Sequence, residues 1–322
     1  MRAVCLAFVV VLAGACGDGG AATPAGGSSG APSDNASSSS SSGGSSGAPK
    51  RDGGTEGGSP PGSAANVRVV AGNLTSGDRP TYDEGPGSRI FKGLRADIAL
   101  VQELNVGDKS DAALRGWVTE TFGADYNYYR EAGTGLNIPN GVVSRFPILE
   151  SGRWPDAPDR GFVYAKLDVP GDRDLWAVSV HLLTANATTR NNSARDLVAK
   201  LKEVVKDGEY VIVGGDLNTD TRGETCITTL DEIVDAKGAQ PADADGNGNT
   251  NAPRGKPYDW VLASPNLAPH QVPTVIGANS FEKGLVFDSR VYTPLADVAP
   301  VMATDSSAKN MQHMAVVKDF QL

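Results

Sequence analysis

Tyr210, Val211, Ile212 and Val213 form an unbroken apolar run, and Gly214, Gly215, Asp216, Leu217 and Asn218 follow it. Such a run, closed by two glycines, reads as a buried strand that the rest of the fold has to cover. Beyond the glycines stand a carboxylate and an amide two residues apart. Hard oxygen ligands at a strand end suit a divalent cation and a phosphate. The same four residues also make an ordinary turn, so their weight depends on partners elsewhere in the chain.

Segments 67–71, 98–101, 141–143, 162–167, 175–182, 210–213, 258–262 and 315–320 read as strands. They are β-branched or alternating and bounded by Gly, Pro or Asp. Segments 112–122 and 189–205 carry helical spacing. In the second, Leu197, Leu201 and Val204 or Val205 share an apolar face opposite Arg195, Lys200 and Lys202. Many strands with few helices between them predict a four-layer α/β sandwich, two packed mixed β-sheets flanked by helices.

The N-terminus reads differently. Arg2, an apolar stretch from Ala3 to Leu12, and Ala13-Gly14-Ala15 before Cys16 lay out a signal peptide over 1–16. The small residues before Cys16 are similar to a bacterial lipobox, with the large aliphatic one place early at Leu12. Two outcomes fit: lipidation of Cys16 with anchorage to a membrane, or secretion after cleavage near Ala15. Residues 17–63 are Gly, Ser, Ala and Pro, too poor in apolar side chains to offset their ordering entropy, and read as a flexible tether. Residues 64–322 are long enough for one large domain, expected to be a monomer.

Three of the 29 basic and four of the 38 acidic residues precede residue 64, which leaves 26 against 34 in the domain. That balance counts against tight, sequence-independent binding of duplex phosphates. It is compatible with an enzyme that meets phosphate through a metal ion. Cys226 is the domain's one cysteine, so no internal disulfide is available, and it reads as an inert small residue.

Polar residues recur at strand ends: Asn73, Gln102-Glu103, His181, Asp216 with Asn218, Tyr258-Asp259 and His313. In this order they resemble the endonuclease/exonuclease/phosphatase superfamily, the fold of deoxyribonuclease I, exonuclease III, bacterial sphingomyelinases and inositol polyphosphate phosphatases. The resemblance spans Val67 to Phe320. Asn140-Gly141 with Ser144-Arg145-Phe146-Pro147-Ile148 adds a segment similar to the group that includes sphingomyelinases.

The resemblance implies phosphoester hydrolysis with Mg²⁺ or Mn²⁺. Glu103 and Asn73 would bind the metal, and Asp259 would orient His313 as general base. His181 would contact phosphate or assist the leaving group. Asn218 would hold a phosphate oxygen, with Asp216 near the attacking water and Asn140 a further phosphate contact. One position departs from the family: Gln312 stands where an Asp usually precedes the last His. Gln312 can offer a metal only a neutral oxygen, and Asp305 is a candidate to supply the missing charge. A working hydrolase is expected, with a non-catalytic binding module on the same fold as the alternative.

Asp243, Asp245, Asn247 and Asn249 start like a calcium loop, but the twelfth position is Arg254, where a bidentate Glu is needed. The segment therefore reads as a turn-rich loop, with Ca²⁺ the minor reading. Phe287-Asp288-Ser289-Arg290 reads as a structural ion pair, and His270 as a surface residue. For substrate, nucleic acid and phospholipid compete. The chain lacks the groove-reading Arg that deoxyribonuclease I-like proteins carry after the Glu103 position, and it shows no clear exposed aromatic hairpin for a membrane, with Trp117 and Trp154 read as isolated. The expectation leans to a nuclease-like phosphodiesterase, with a sphingomyelinase-like lipid phosphodiesterase or phosphatase as alternative.

Overall fold

The computed structural model describes residues 65–132, 137–238 and 240–322. The expected leader at 1–16, Cys16 and the tether at 17–63 lie outside the described residues. The elements run β1 (Asn66–Gly72), α1 (Pro86–Leu94), β2 (Ile98–Val101), α2 (Asp111–Thr121), β3 (Asn127–Arg130), β4 (Gly141–Ser144), β5 (Ile148–Ala157) and β6 (Arg160–Leu167). They continue with β7 (Leu175–His181), α3 (Ala187–Val204), β8 (Tyr210–Asp216), α4 (Thr225–Leu230), β9 (Asp259–Ala263) and β10 (Gln271–Val272). The last are β11 (Thr274–Ile276), β12 (Asn279–Phe281), β13 (Leu285–Phe287) and β14 (Ala315–Gln321).

One sheet has the order β10-β14-β1-β2-β4-β3, with β13 also paired to β14. The other is β5 to β9 in chain order, and β11 with β12 forms a separate hairpin. Both large sheets are mixed, because β1 pairs parallel with β2 and β7 parallel with β8 while their other pairings are antiparallel. This is the expected four-layer sandwich.

Period-two alternation sorts the strand residues between layers. Val67, Val69 and Ala71 of β1 face the core between the sheets, with Leu100, Val163, Ala177 and Val261, while Val70 packs with Ile90, Phe91, Leu94 and Val118 of α1 and α2. In β8, Tyr210 and Ile212 enter the core between the sheets. Val211 and Val213 meet Leu197, Leu201 and Ile227 of α3 and α4. Burying one such side chain contributes about 1.5–3 kcal/mol, against β-propensity differences of roughly 1 kcal/mol. Cover on both faces therefore decides this strand.

α1, α4, β3, β5 and β10 to β13 are not legible as elements in the sequence. α1 offers only Ile90, Phe91 and Leu94 as large apolar residues after Pro86 and Gly87, and β5 is an edge strand whose polar residues fall on both faces. Trp154 is not isolated: it stacks on Tyr164 with ring centres 4.3 Å apart. Trp117 likewise packs on Tyr82 and Phe122.

Two glycines let β8 reach the site. A Cβ on Gly214 would stand 2.6 Å from Leu100 Cδ1 and 2.8 Å from the Trp260 carbonyl oxygen. Gly215 has φ +121°, and a Cβ there would meet the Val180 carbonyl and the Gln102 amide. Left-handed strain plus overpacking should make Gly215→Ala cost about 2–4 kcal/mol in urea unfolding. A loss below about 0.5 kcal/mol, the level of a surface change, would show that the sheets can part here without cost.

Candidate active site

Strand register assembles the site. His181 pairs with Asp216 across β7 and β8, and Asp216 pairs with Asp259 across β8 and β9. Three chemically competent side chains thus sit side by side at one end of the second sheet. His181 Nε2 lies 3.3 Å from Asp216 Oδ2. His313, just before β14 in the first sheet, brings Nδ1 to 3.0 Å and 3.2 Å from the two Asp259 oxygens and 3.8 Å from Asp216 Oδ2. The Tyr258 ring meets the His313 ring edge-on at 5.2 Å.

Asp259 also joins the other half of the site. Its Oδ1 accepts the Asn73 backbone N–H at 3.1 Å, and the Asn73 amide donates to Glu103 Oε1 at 2.9 Å. Thr75 donates its hydroxyl toward Asn73 Oδ1 (3.0 Å) and Glu103 Oε2 (3.2 Å). Behind them Gln102 donates to Ser179 at 2.9 Å, and Ser179 donates to the Val101 carbonyl at 3.1 Å, which ties β2 to β7. Glu103 and Asn218 hold left-handed backbones, φ +52° and +51°. Asn tolerates that region, but for Glu it is strained. The strain marks Glu103 as a position held for its side chain.

The site is short of positive charge. Burial pushes the Asp216 carboxyl up to about 7, and the charges of Asp259 and Glu103 add to this against the pull of His313. Burial opposes charge on His313, yet Asp259 and Asp216 raise its imidazole to about 9. Burial holds His181 well below its ordinary range, helped by the charges of Arg160 and His313. The centre therefore gathers protons that a divalent cation could replace. Asp216, Asp259 and His313 offer ligand atoms within 4.8 Å of one another. His313 Nδ1 cannot both donate to Asp259 and ligate an ion, and the Asn73–Glu103 pair, tied to this cluster through Asp259 Oδ1, carries further oxygen atoms of the kind a hard cation takes.

Of the residues singled out in the sequence, Asn73, Glu103, His181, Asp216, Asn218, Asp259 and His313 are interlinked here. Asn218 donates its backbone N–H to Asp216 Oδ1 at 2.9 Å and its amide to the Leu182 carbonyl at 2.9 Å. Asn140 is different. It is fully buried, its amide donates to the Gly161 carbonyl at 2.8 Å and its backbone N–H to Glu131 Oε1 at 2.7 Å, and among the described residues no hydrogen bond joins it to Glu103, Asp216 or Asp259. It braces the start of β4 against β6 and stands apart from this hydrogen-bonded set.

Gln312 is held by its backbone, donating to the Thr75 carbonyl (3.0 Å) and accepting from Ala252 N–H (3.1 Å). Its side chain makes no hydrogen bond among the described residues. Asp305 does not replace the missing charge: it is buried and bonded to Arg89 on α1 at 2.6 and 3.0 Å. Nor does the 243–254 loop offer a calcium site, because the Arg254 guanidinium binds Asp243 at 2.6 Å. Asp288 pairs with Arg290 at 2.6 Å, as expected. Cys226 is buried, and burial pushes its thiol up to about 12, so it is inert.

Sequence reasoning missed Thr75, Thr250 and Arg160. Thr250 accepts the Asp259 N–H at 2.7 Å, and Arg160 is a nearly buried cation whose charge reaches His181. Thr75 stands two residues after Asn73, a spacing that puts both on one side of an extended segment. Arg160 carries no such signal, since only the β6–β7 pairing brings it near His181.

Fold and site together define a two-sheet α/β sandwich with an acid–imidazole centre at its strand ends. The chain belongs to the Endonuclease/Exonuclease/phosphatase family, whose sequence model matches residues 74–288. Members generally hydrolyse phosphoester bonds and typically depend on a divalent metal. Asn73, Gln312 and His313 fall outside the matched span. Among solved structures, a functionally unknown conserved protein from Enterococcus faecalis V583 is similar at 9% identity and TM-score 0.54, covering 78% of this chain and 98% of that one. An endonuclease/exonuclease/phosphatase from Bacteroides vulgatus matches at 16% identity and TM-score 0.51, covering 80% and 99%. At these identities the likeness concerns the fold. No curated protein matches the chain in sequence.

The proton balance has a measurable consequence. The His313 contribution to stability is complete below about pH 6.5 and is lost as pH rises through about 9. The raised Asp216 carboxyl costs stability progressively from about pH 4 to about 7. Both therefore lower stability as pH rises in chelator. A divalent cation held here would compete with these protons, so the stabilising shift given by Mg²⁺ in thermal unfolding should be larger at pH 9 than at pH 6. Equal shifts at both values would mean that these carboxylates do not hold the ion.

Proposed function

We propose that the chain is an exported phosphodiesterase that works with Mg²⁺ or Mn²⁺. The observation that carries this reading is Asp259, which holds His313 Nδ1 at 3.0 Å while accepting the Asn73 N–H beside Glu103. A carboxylate behind Nδ1 keeps the proton there and leaves Nε2 as the basic atom for an attacking water. Glu103, Asn73 and Asp216 would hold the cation, with the neutral Gln312 carbonyl the weakest of the expected ligands. When bound, the ion would neutralise charge on the phosphate and leaving oxygen and, by offsetting the three carboxylates, free His313 of its proton. His181, kept neutral by burial, sits where a phosphate or leaving oxygen would arrive. Asn218 and Arg160 would steady the remaining phosphate oxygens.

A second reading within this class concerns the substrate. A cleft of about 780 Å³ beside Glu103 is lined by Asp78, Asp83 and Glu84 as well as Arg79 and Lys109. Acidic walls favour a compact phosphoester over a long polyanionic strand. This tempers the lean toward nucleic acid. Export, with anchorage at Cys16, is supported by the charged, apolar and small-residue layout of the first sixteen residues.

The test is a panel of plasmid DNA, RNA, sphingomyelin and bis-para-nitrophenyl phosphate, each with Mg²⁺ and with EDTA. EDTA-sensitive cleavage of at least one is expected. His313→Ala and Glu103→Ala should each lower turnover by about 10²–10⁴-fold while the protein stays folded. Full turnover in both variants would sink the reading, and no cleavage by the parent protein would favour the binding-module alternative.

A further inference from the structure

We propose that Arg254 is a positioning residue for the His313–Asp259 pair, its guanidinium serving as the built-in cation of the 243–254 loop. The inference rests on the phosphodiesterase reading for its kinetic consequences but not for its geometry.

The loop has the internal bonding of an ion-binding turn. Asp243 Oδ1 accepts the N–H groups of Asp245 (3.0 Å) and Asn247 (2.8 Å), and Asn247 Oδ1 accepts that of Asn249 (2.9 Å). In a calcium loop the remaining oxygens would converge on the metal. Here they converge on Arg254. Its Nη2 donates to Asp243 Oδ2 at 2.6 Å and to the Asn247 carbonyl at 3.1 Å, and its Nε donates to the Asn249 carbonyl at 2.8 Å. Its Nη1 donates to Asp288, just past β13. The Arg254 side chain is 12% exposed, and those of Asp243 and Asp288 are 3% and 1% exposed. The position that should carry the bidentate Glu thus carries the positive charge itself.

The loop closed in this way is laced to both members of the pair. Met314 N–H donates to the Thr250 carbonyl at 2.7 Å, Ala252 N–H donates to the Gln312 carbonyl at 3.1 Å, and Asn251 bridges to His313. The Thr250 hydroxyl accepts the Asp259 N–H at 2.7 Å. Residues 250–252 therefore hold His313 from one side and Asp259 from the other. Their own path is set by the turn that Arg254 closes. Removing the guanidinium leaves Asp243 buried without a cation, whereas Asp288 keeps Arg290, so the Asp243 side of the loop has to open or take in water.

Arg254→Ala is the test. A misplacement of this kind should lower kcat by about 10–100-fold with KM nearly unchanged. Millimolar guanidinium should restore part of kcat, and equimolar ammonium should not. In chelator, the downfield His313 Nδ1–H proton resonance should weaken in the variant and recover with guanidinium. The resonance needs no turnover, so it decides the inference even if the parent hydrolyses nothing. A folded variant with parental kcat and an unchanged resonance would overturn the proposal. So would a loss that guanidinium leaves untouched. If Arg254→Ala does not fold, Arg254→Lys decides. Its single ammonium cannot span Asp243, Asp288 and the two carbonyls, so reduced kcat and a weakened resonance are expected. Parental values in that variant would overturn the inference.

Discussion

The buried carboxylate of Asp259 is where the two sheets meet chemically. It starts β9 in one sheet, yet its oxygens bind the Asn73 N–H at the end of β1 and the His313 ring before β14, both in the other. A carboxylate 4% exposed and left without partners would cost several kcal/mol. The two sheets therefore have to settle at the separation that supplies both partners. The hydrophobic core between them brings the layers together without direction. Asp259 adds the direction, and in doing so sets the spacing between the basic nitrogen of His313 and the Glu103 side of the site.

The sheets answer each other in their pairing. From β14 through β1, β2 and β4 to β3 the pairings run antiparallel, parallel, antiparallel, antiparallel. From β9 through β8, β7 and β6 to β5 they run in the same order. Corresponding strand ends carry corresponding parts of the site. Asn73 follows β1 as Asp216 and Asn218 close β8. Glu103 follows β2 as His181 ends β7, and His313 precedes β14 as Asp259 starts β9. No repeat is visible in the amino-acid sequence, because only pairing direction and strand-end placement are shared.

Charge explains both the chemistry and the departures. Three carboxylates surround the His313 imidazole and strengthen its hold on a proton, and Arg160 is the nearby cation whose effect on His181 is felt. In that setting a neutral Gln312 beside His313 removes one more negative charge from a centre already crowded with them. Asp305, which could have returned that charge, is drawn to Arg89 because a buried carboxylate needs a fixed cation and α1 provides one at 2.6 Å. The same rule settles the 243–254 loop, where Arg254 answers the buried Asp243 and Asp288. Asp305, Asp243 and Asp288 are each a buried acid held by a nearby guanidinium.

The amino-acid sequence by itself determined the strands that are apolar on both faces, the polar residue at each strand end, and their order. These are local properties, since burial on two faces requires an unbroken apolar run and a site at a sheet edge requires a polar residue where the run stops. β8 with Asp216 and β2 with Glu103 were legible for that reason. Only the tertiary structure decided which strand ends adjoin, that Arg160 reaches His181, that Asn140 braces β4 against β6, and that Arg254 and Asp305 have other partners. Those outcomes depend on register and on competition between distant charges. Neither leaves a mark in the spacing of residues along the chain.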